Sequence, residues 1–161
     1  MGKESMVLRD VMAWLHDNNH WFERLPAGSA FVPGGVITKQ RPLGTKPRRI
    51  RMGRKGAPDV IAGVNGLSIG IETKRDEKEY KKWIGVIDRY KKATGGEVNL
   101  NIKWDNEMLL YPDIKKSWEH EVDQYKYAVK MTKRGSKYIL TYSVEHLEAE
   151  LKKIKDKYKI K

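Results

Sequence analysis

One dipeptide, Asn65-Gly66, restricts this chain more than any other feature, because it sits between two short runs rich in β-branched and apolar residues. Both central positions of a two-residue type I′ turn need positive φ, which Asn and Gly tolerate, so the pair predicts a β-hairpin. Before the turn, Asp59 to Ala62 reads as a short strand. After it, Leu67 to Lys74 alternates, with Leu67, Ile69 and Ile71 on one side and Ser68, Gly70, Glu72 and Lys74 on the other. Glu72 and Lys74 therefore share a face, and the hairpin brings Asp59 back beside them. Two carboxylates converging on one point repel each other unless a cation lies between them. A hard divalent ion such as Mg²⁺ fits, since it takes oxygen ligands and keeps several waters. Lys74 next to that ion can hold a water or hydroxide, or neutralise charge growing on a phosphate. Gly70, on the same face, is expected to leave room for a substrate backbone.

A Glu-x-Lys pair alone is common on surface hairpins. What turns it toward phosphodiester chemistry is the Gly56-Ala57-Pro58-Asp59 stretch ahead of the hairpin and the basic segment ahead of that. Lys39 to Lys55 carries Lys39, Arg41, Lys46, Arg48, Arg49, Arg51, Arg54 and Lys55 with no acid, and its Pro and Gly residues predict a loop. An unbalanced run leading into a catalytic pattern is expected to contact phosphates, which positions a substrate without reading its sequence. The whole chain has the same bias. Lys and Arg number 33 against 21 Asp and Glu, a net charge of +12, and a field of that sign attracts polyanions, of which nucleic acid is the commonest.

Other chemistries are excluded more simply. There is no cysteine, hence no disulfide, thiolate zinc site or cysteine nucleophile. His16, His20, His120 and His146 lack the spacing of a zinc motif. No apolar run is long enough to span a bilayer and the N-terminus lacks a signal-peptide core, so the expectation is a soluble, intracellular, cytoplasmic protein with no membrane partner. The 161 residues fit a single domain spanning 1–161.

The remaining periodicities give the frame. Met6 to Leu15 is expected to be a helix capped by Ser5 and ended by Asn18-Asn19, followed by a short strand from Trp21. Lys78 to Lys92 has a helical stripe of Tyr80, Trp83, Ile84, Ile87 and Tyr90, stopped by Gly95-Gly96. Val98, Leu100, Ile102 and Trp104 alternate with polar residues as in a half-buried strand, Asp105-Asn106 is a turn candidate, and Met108 to Tyr111 returns as a second strand. Trp118 to Met131 is a helix, Tyr138 to Tyr142 a strand, and Ser143 caps a final helix.

These residues together resemble the VRR-NUC branch of the PD-(D/E)xK nuclease superfamily. The resemblance rests on Arg24 and Gly28 in Arg-Leu-Pro-Ala-Gly, on Gly56-Ala57-Pro58-Asp59-Val60-Ile61, and on Gly70-Ile71-Glu72-Thr73-Lys74. It continues in the helix bearing Gln124, in Gly135 with the strand after it, and in Glu4 on the first helix, where that family carries an acid. It leaves out Lys78 to Lys116, a crossing much longer than the family's, so that an inserted helix plus β-hairpin at about 78–116 is expected.

The resemblance implies an α/β, restriction-endonuclease-like mixed β-sheet flanked by helices, and a Mg²⁺- or Mn²⁺-dependent phosphodiesterase. Asp59 and Glu72 would bind metal with the backbone carbonyl of Thr73, and Glu4 would act through a water. Lys74 would orient the nucleophile, Gln124 would reach the metal or a phosphate, and Arg24 would join the basic residues on DNA. Similar proteins include resolvases of Holliday-junction DNA that act as homodimers, since one site cuts one strand. The apolar residues Trp83, Ile87, Trp104 and Leu110 suit either such an interface or the core. A structure-selective endonuclease is therefore the leading expectation. A sequence-specific restriction or homing-type endonuclease and a non-catalytic nucleic-acid-binding protein are the alternatives, and RNA stays open as substrate.

Overall fold

The Asn65-Gly66 hairpin and the helical periods on either side of it set the frame. The computed structural model describes residues 2–25 and 55–157 in full and residues 29–32, 48–51 and 158 as backbone. Helix α1 covers Lys3–Asp17 and is followed by strand β1, Trp21–Arg24. Strands β2, Ser29–Val32, and β3, Arg48–Arg51, pair antiparallel in a two-stranded sheet of their own. Strands β4, Val60–Val64, and β5, Leu67–Thr73, form the hairpin, with Asn65 at φ 50° and Gly66 at φ 82°, the positive values that the type I′ turn requires.

Helix α2, Glu77–Thr94, starts on Asp76, whose carboxylate accepts from the Glu79 amide at 2.9 Å, and stops at Gly95 in the left-handed region. Helix α3 is Trp104–Leu110, and a 3₁₀ turn at Lys116–Trp118 leads into α4, Glu119–Lys133. Strand β6, Lys137–Thr141, and helix α5, Val144–Tyr158, complete the order; the Ser143 hydroxyl accepts from the His146 amide at 3.1 Å.

The larger sheet has the order β1-β4-β5-β6. Its first two pairings are antiparallel and β5–β6 is parallel. A parallel pair needs a long crossover, and α2, α3 and α4 supply it. The result is a mixed α/β arrangement with helices on both faces of a four-stranded mixed sheet. On one face Leu8, Val11 and Leu15 of α1 and Leu147 and Leu151 of α5 pack on Val60, Ala62, Ile69, Ile71 and Ile139. On the other, Trp83, Val86, Ile87 and Tyr90 of α2 meet Val122 of α4, Ile114, Trp118 and Leu140. No described helix is long and apolar enough to cross a membrane.

Three expectations are corrected. The segment at 78–116 contains no β-hairpin among the described residues: Val98 to Lys103 is irregular and Met108 to Leu110 is helical. An alternating pattern becomes a strand only where a ladder partner is available, and β propensity depends strongly on context. Here Asp105 and Glu107 favour a helix start and Met108-Leu109-Leu110 are good helix formers. Of the candidate interface residues, Trp83 and Ile87 are core, Trp104 is half-buried and Leu110 is exposed. Second, α1 begins three residues before Met6, so its cap position is Gly2 and Ser5 lies inside the helix. Third, Arg48, Arg49 and Arg51 lie in strand β3 rather than in a loop. Gly28, Lys39, Arg41, Lys46 and Arg54 fall outside the described residues.

Candidate metal centre

Pairing along the sheet sets the site. Leu25 donates its amide to the Asp59 carbonyl at 2.8 Å, which extends the β1–β4 ladder and fixes Asp59 just ahead of β4. Gly56, at φ 78°, lies so close to the Asp123 carbonyl of α4 that a Cβ there would collide with it. Glycine therefore lets the stretch before Asp59 dock on α4. On β5, the Lys74 amide donates to the Thr141 carbonyl at 2.7 Å, so the strand stays paired to the end of the Glu72-Thr73-Lys74 motif. Gly70 does not leave open space: Met131 of α4 and Pro58 occupy it, each 2.9 Å from where a Cβ would stand.

Three carboxylates converge at this end of the sheet. Glu4 of α1, Asp59 and Glu72 each offer an oxygen within 4.8 Å of the others. Asp59 Oδ2 accepts from the Thr73 amide at 2.9 Å and from the Thr73 hydroxyl at 2.8 Å, which aims the carboxylate. Glu72 is buried. Its Oε1 accepts from Gln124 Nε2 at 2.9 Å, while its Oε2 is buried with no hydrogen-bond partner. Burial, then the neighbouring Asp59 charge, push the Glu72 carboxyl up to about 9; Lys74 opposes this and Glu4 adds to it. The Glu4 carboxyl is also raised, by burial first and by Asp59 second.

Gln124 of α4 organises the rest. Its Oε1 accepts from Lys74 Nζ at 3.0 Å and from the Trp83 indole at 2.9 Å, while its Nε2 donates to Glu72. Two donors on the oxygen and a carboxylate on the nitrogen leave the amide one orientation. Lys74, itself buried, is thus held beside Glu72 through Gln124, with no direct ion pair to it. Sequence reading selects Asp59, Glu72, Lys74, Gln124 and Glu4, and the fold brings all five together. Arg24 lies exposed at the end of β1, one residue from the amide that anchors Asp59, and Lys55 pairs with Glu119 of α4 at 3.6 Å.

The fold adds two residues that the sequence reading missed. His120 stands one helical turn before Gln124, with its Nε2 3.4 Å from the amide nitrogen, and Trp83 is a polar partner of the site as well as core. An i, i+4 search from Gln124 finds His120 on the same helix face; nothing local marks Trp83. Both line a cleft of about 660 Å³ that opens from Glu4 and Lys74, with Arg75, Lys78 and Lys82 exposed along it.

The residues fit a hard divalent cation. The donors are all carboxylate oxygens, and ligands on opposite sides of Mg²⁺ stand about 4 Å apart given metal–oxygen distances near ~2.1 Å. A cation there would give the orphaned Glu72 oxygen a partner and offset both the burial and the neighbouring Asp59 charge that raise its pKa. Compared with known proteins, the chain matches no family model, no curated protein and no solved structure.

Proposed function

We propose that this chain is a divalent-metal-dependent endonuclease of the PD-(D/E)xK type, VRR-NUC branch. The observation that carries the reading is a buried Glu72 carboxyl, one oxygen of which has no hydrogen-bond partner among the described residues, clustered with Asp59 and Glu4, with Lys74 fixed beside it by Gln124. Such a set is electrostatically frustrated as a structural element and makes chemical sense as a cation site. Asp59 and Glu72 would be the direct ligands, joined by the Thr73 carbonyl, and Glu4 would act through a water. Mg²⁺ or Mn²⁺ held there supplies Lewis-acid polarisation of a phosphodiester and a lowered pKa for the attacking water.

The chain's own residues do the rest. Lys74 presents a cation at the mouth of the carboxylate cluster, where it can orient a water or meet a phosphoryl oxygen as charge develops. Gln124 and Trp83 keep that ammonium from swinging into an ion pair with Glu72. Lys78 and Lys82 offer the cleft exposed cations for a nucleic-acid backbone, beside Arg75, which pairs with Asp76 and Glu79, and the acids Glu79 and Glu121. DNA is the proposed substrate, with branched junctions preferred and a two-fold dimer supplying paired cuts, as in the resolvases that the sequence resembles.

The test is cleavage of four-way-junction, linear duplex and single-stranded DNA with Mg²⁺, with Mn²⁺ and with chelator. The expected result is metal-dependent cutting that chelator and Asp59→Ala each abolish, with the junction cut fastest. Full activity in chelator would overturn the metal mechanism, and equal rates on junction and linear DNA would overturn the structural preference.

A further inference from the structure

The catalytic cleft reaches His120 and Glu121 at the start of α4. A second groove, of about 560 Å³, lies along the C-terminal half of the same helix. Lys130, Lys133 and Arg134 from the end of α4 line it together with Lys55, and Tyr127, Met131 and Leu100 are among its less polar walls. No acidic residue among those described lines it. Among the described residues, Lys130, Lys133 and Arg134 have no carboxylate within ion-pair distance, whereas Lys55, Arg75, Lys81, Lys126 and Lys153 each do. The helix dipole favours cations at this end of α4. It does not account for Lys55, which reaches the same groove from the segment that carries Asp59.

We infer that this groove binds the DNA backbone flanking the cut, as a second contact beyond the metal centre; the inference rests on the proposed nuclease reading. Three features favour a nucleic-acid flank over a small anion. The groove has unpaired cations, Lys130, Lys133 and Arg134, spread over a full helical turn. It is physically tied to the centre, since Met131 packs on Gly70 of β5 and Gly56 packs on α4 between the two sites. Its distance is also suitable. Lys130 and Lys133 follow Gln124 by six and nine residues, roughly 9 and 14 Å along a helix rising ~1.5 Å per residue. At ~3.4 Å of duplex axis per nucleotide, this is a displacement of about three to four nucleotides from the scissile phosphate. The flanking backbone is thus held while the metal centre acts on one phosphate.

The experiment measures DNA affinity as a function of salt, in chelator so that no cutting occurs, for wild type and for Lys130→Ala/Lys133→Ala/Arg134→Ala. A control, Lys152→Ala/Lys153→Ala/Lys155→Ala on α5, removes the same charge from the opposite face of the sheet. The groove variant is expected to lose roughly 2 to 3 from the log–log salt slope, since each phosphate contact contributes ~0.9. The control should lose less than one. With Mg²⁺ restored, the groove variant should show a raised KM and a kcat within about twofold. Trimming the substrate to two nucleotides beyond the cut on either side should bring wild type and variant together. An unchanged slope, or equal losses in the two variants, would overturn the groove, and so would failure of the wild type to bind DNA. A lowered slope in a protein that never cuts DNA would uphold the groove and sink the nuclease reading. Cutting with an unaffected variant would do the reverse.

Discussion

Two buried glutamates, Glu72 and Glu107, stand in the same half of this molecule and have opposite fates. Glu107 of α3 is 1% exposed, and both its oxygens are used: Tyr90 donates to one at 2.8 Å and Lys126 to the other at 2.9 Å. Glu72 is 5% exposed and lies two residues from a buried lysine, yet that lysine goes to Gln124 and one Glu72 oxygen has no partner. Around Glu107 the donors outnumber the negative charges. Around Glu72 two more carboxylates crowd in. A buried carboxylate is tolerable when its charge and lone pairs are met, and costly when they are not. Glu107 therefore belongs to the architecture that ties α2, α3 and α4 together. Glu72 is held in a state that only a further positive charge relieves.

The widest separation of the two glutamates should appear in turnover. Glu72→Ala should reduce metal-dependent cleavage by about a thousandfold or more, the scale on which loss of a transition-state charge stabiliser is felt. Glu107→Ala should leave the specific activity of the folded fraction nearly unchanged. Comparable losses of specific activity in both variants would erase the distinction.

Stability should reverse the order. Glu107→Ala leaves Lys126 buried without its partner and should cost ~3–5 kcal/mol. For a domain of this size that is roughly 6–20 °C in Tm, at ~2–4 °C per kcal/mol. Replacing the whole set, as Glu107→Leu with Lys126→Met and Tyr90→Phe, should recover most of the loss, because apolar side chains of similar volume leave no charge or buried hydroxyl to satisfy. A triple variant as unstable as the single one would show that shape, and not charge, is what Glu107 provides.

A third measurement uses pH. In the metal-free fold the Glu72 carboxyl keeps its proton up to about 9, against an ordinary value of 4.5. The folded state binds the extra proton between those limits. The stability contributed by protonated Glu72 is thus complete below 4.5 and falls as pH rises toward 9, by up to ~1.4 kcal/mol per pH unit. Glu72→Gln removes that slope. Its metal-free Tm should match wild type near pH 4.5 and exceed it near pH 7, by an amount on the order of 3 kcal/mol. Added Mn²⁺ should stabilise wild type and not the variant. Parallel Tm profiles across this range would show that Glu72 is ionised without metal.

The smallest effect sharpens the role of the amide between them. Gln124→Ala releases both Lys74 and Glu72 and should lower metal affinity and kcat by about 10–100-fold, the usual cost of losing a group that orients ligands. Gln124→Glu, which places another acid against Glu72, should tighten metal binding while slowing the cut. Loss of stability alone, with kcat intact, would make Gln124 merely a packing residue.

Much of this was legible locally. The type I′ turn, the two faces of β5, the stop at Gly95 and the cap at Ser143 follow from steric rules that act within a few residues. Asp59, Glu72 and Lys74 could be brought together because one hairpin spans them. The segment from Val98 to Leu110 was misread for the converse reason. Its alternation satisfies a strand, but whether a strand exists depends on a neighbour with open backbone groups, and neither Val98 nor Leu110 can specify that neighbour.

By itself the sequence determined the hairpin, the motif on one face of it and the strongly basic character of the chain, because backbone sterics, period and charge are local or additive. Only the tertiary structure decided which glutamate is satisfied and which is not. Glu72 and Glu107 each have a lysine within reach, but Lys74 is drawn off by Gln124, fifty residues away, while Lys126 crosses to α3. Burial and hydrogen-bond partnership are properties of packing, and they, not residue identity, separate a satisfied structural ion pair from an unsatisfied buried carboxyl.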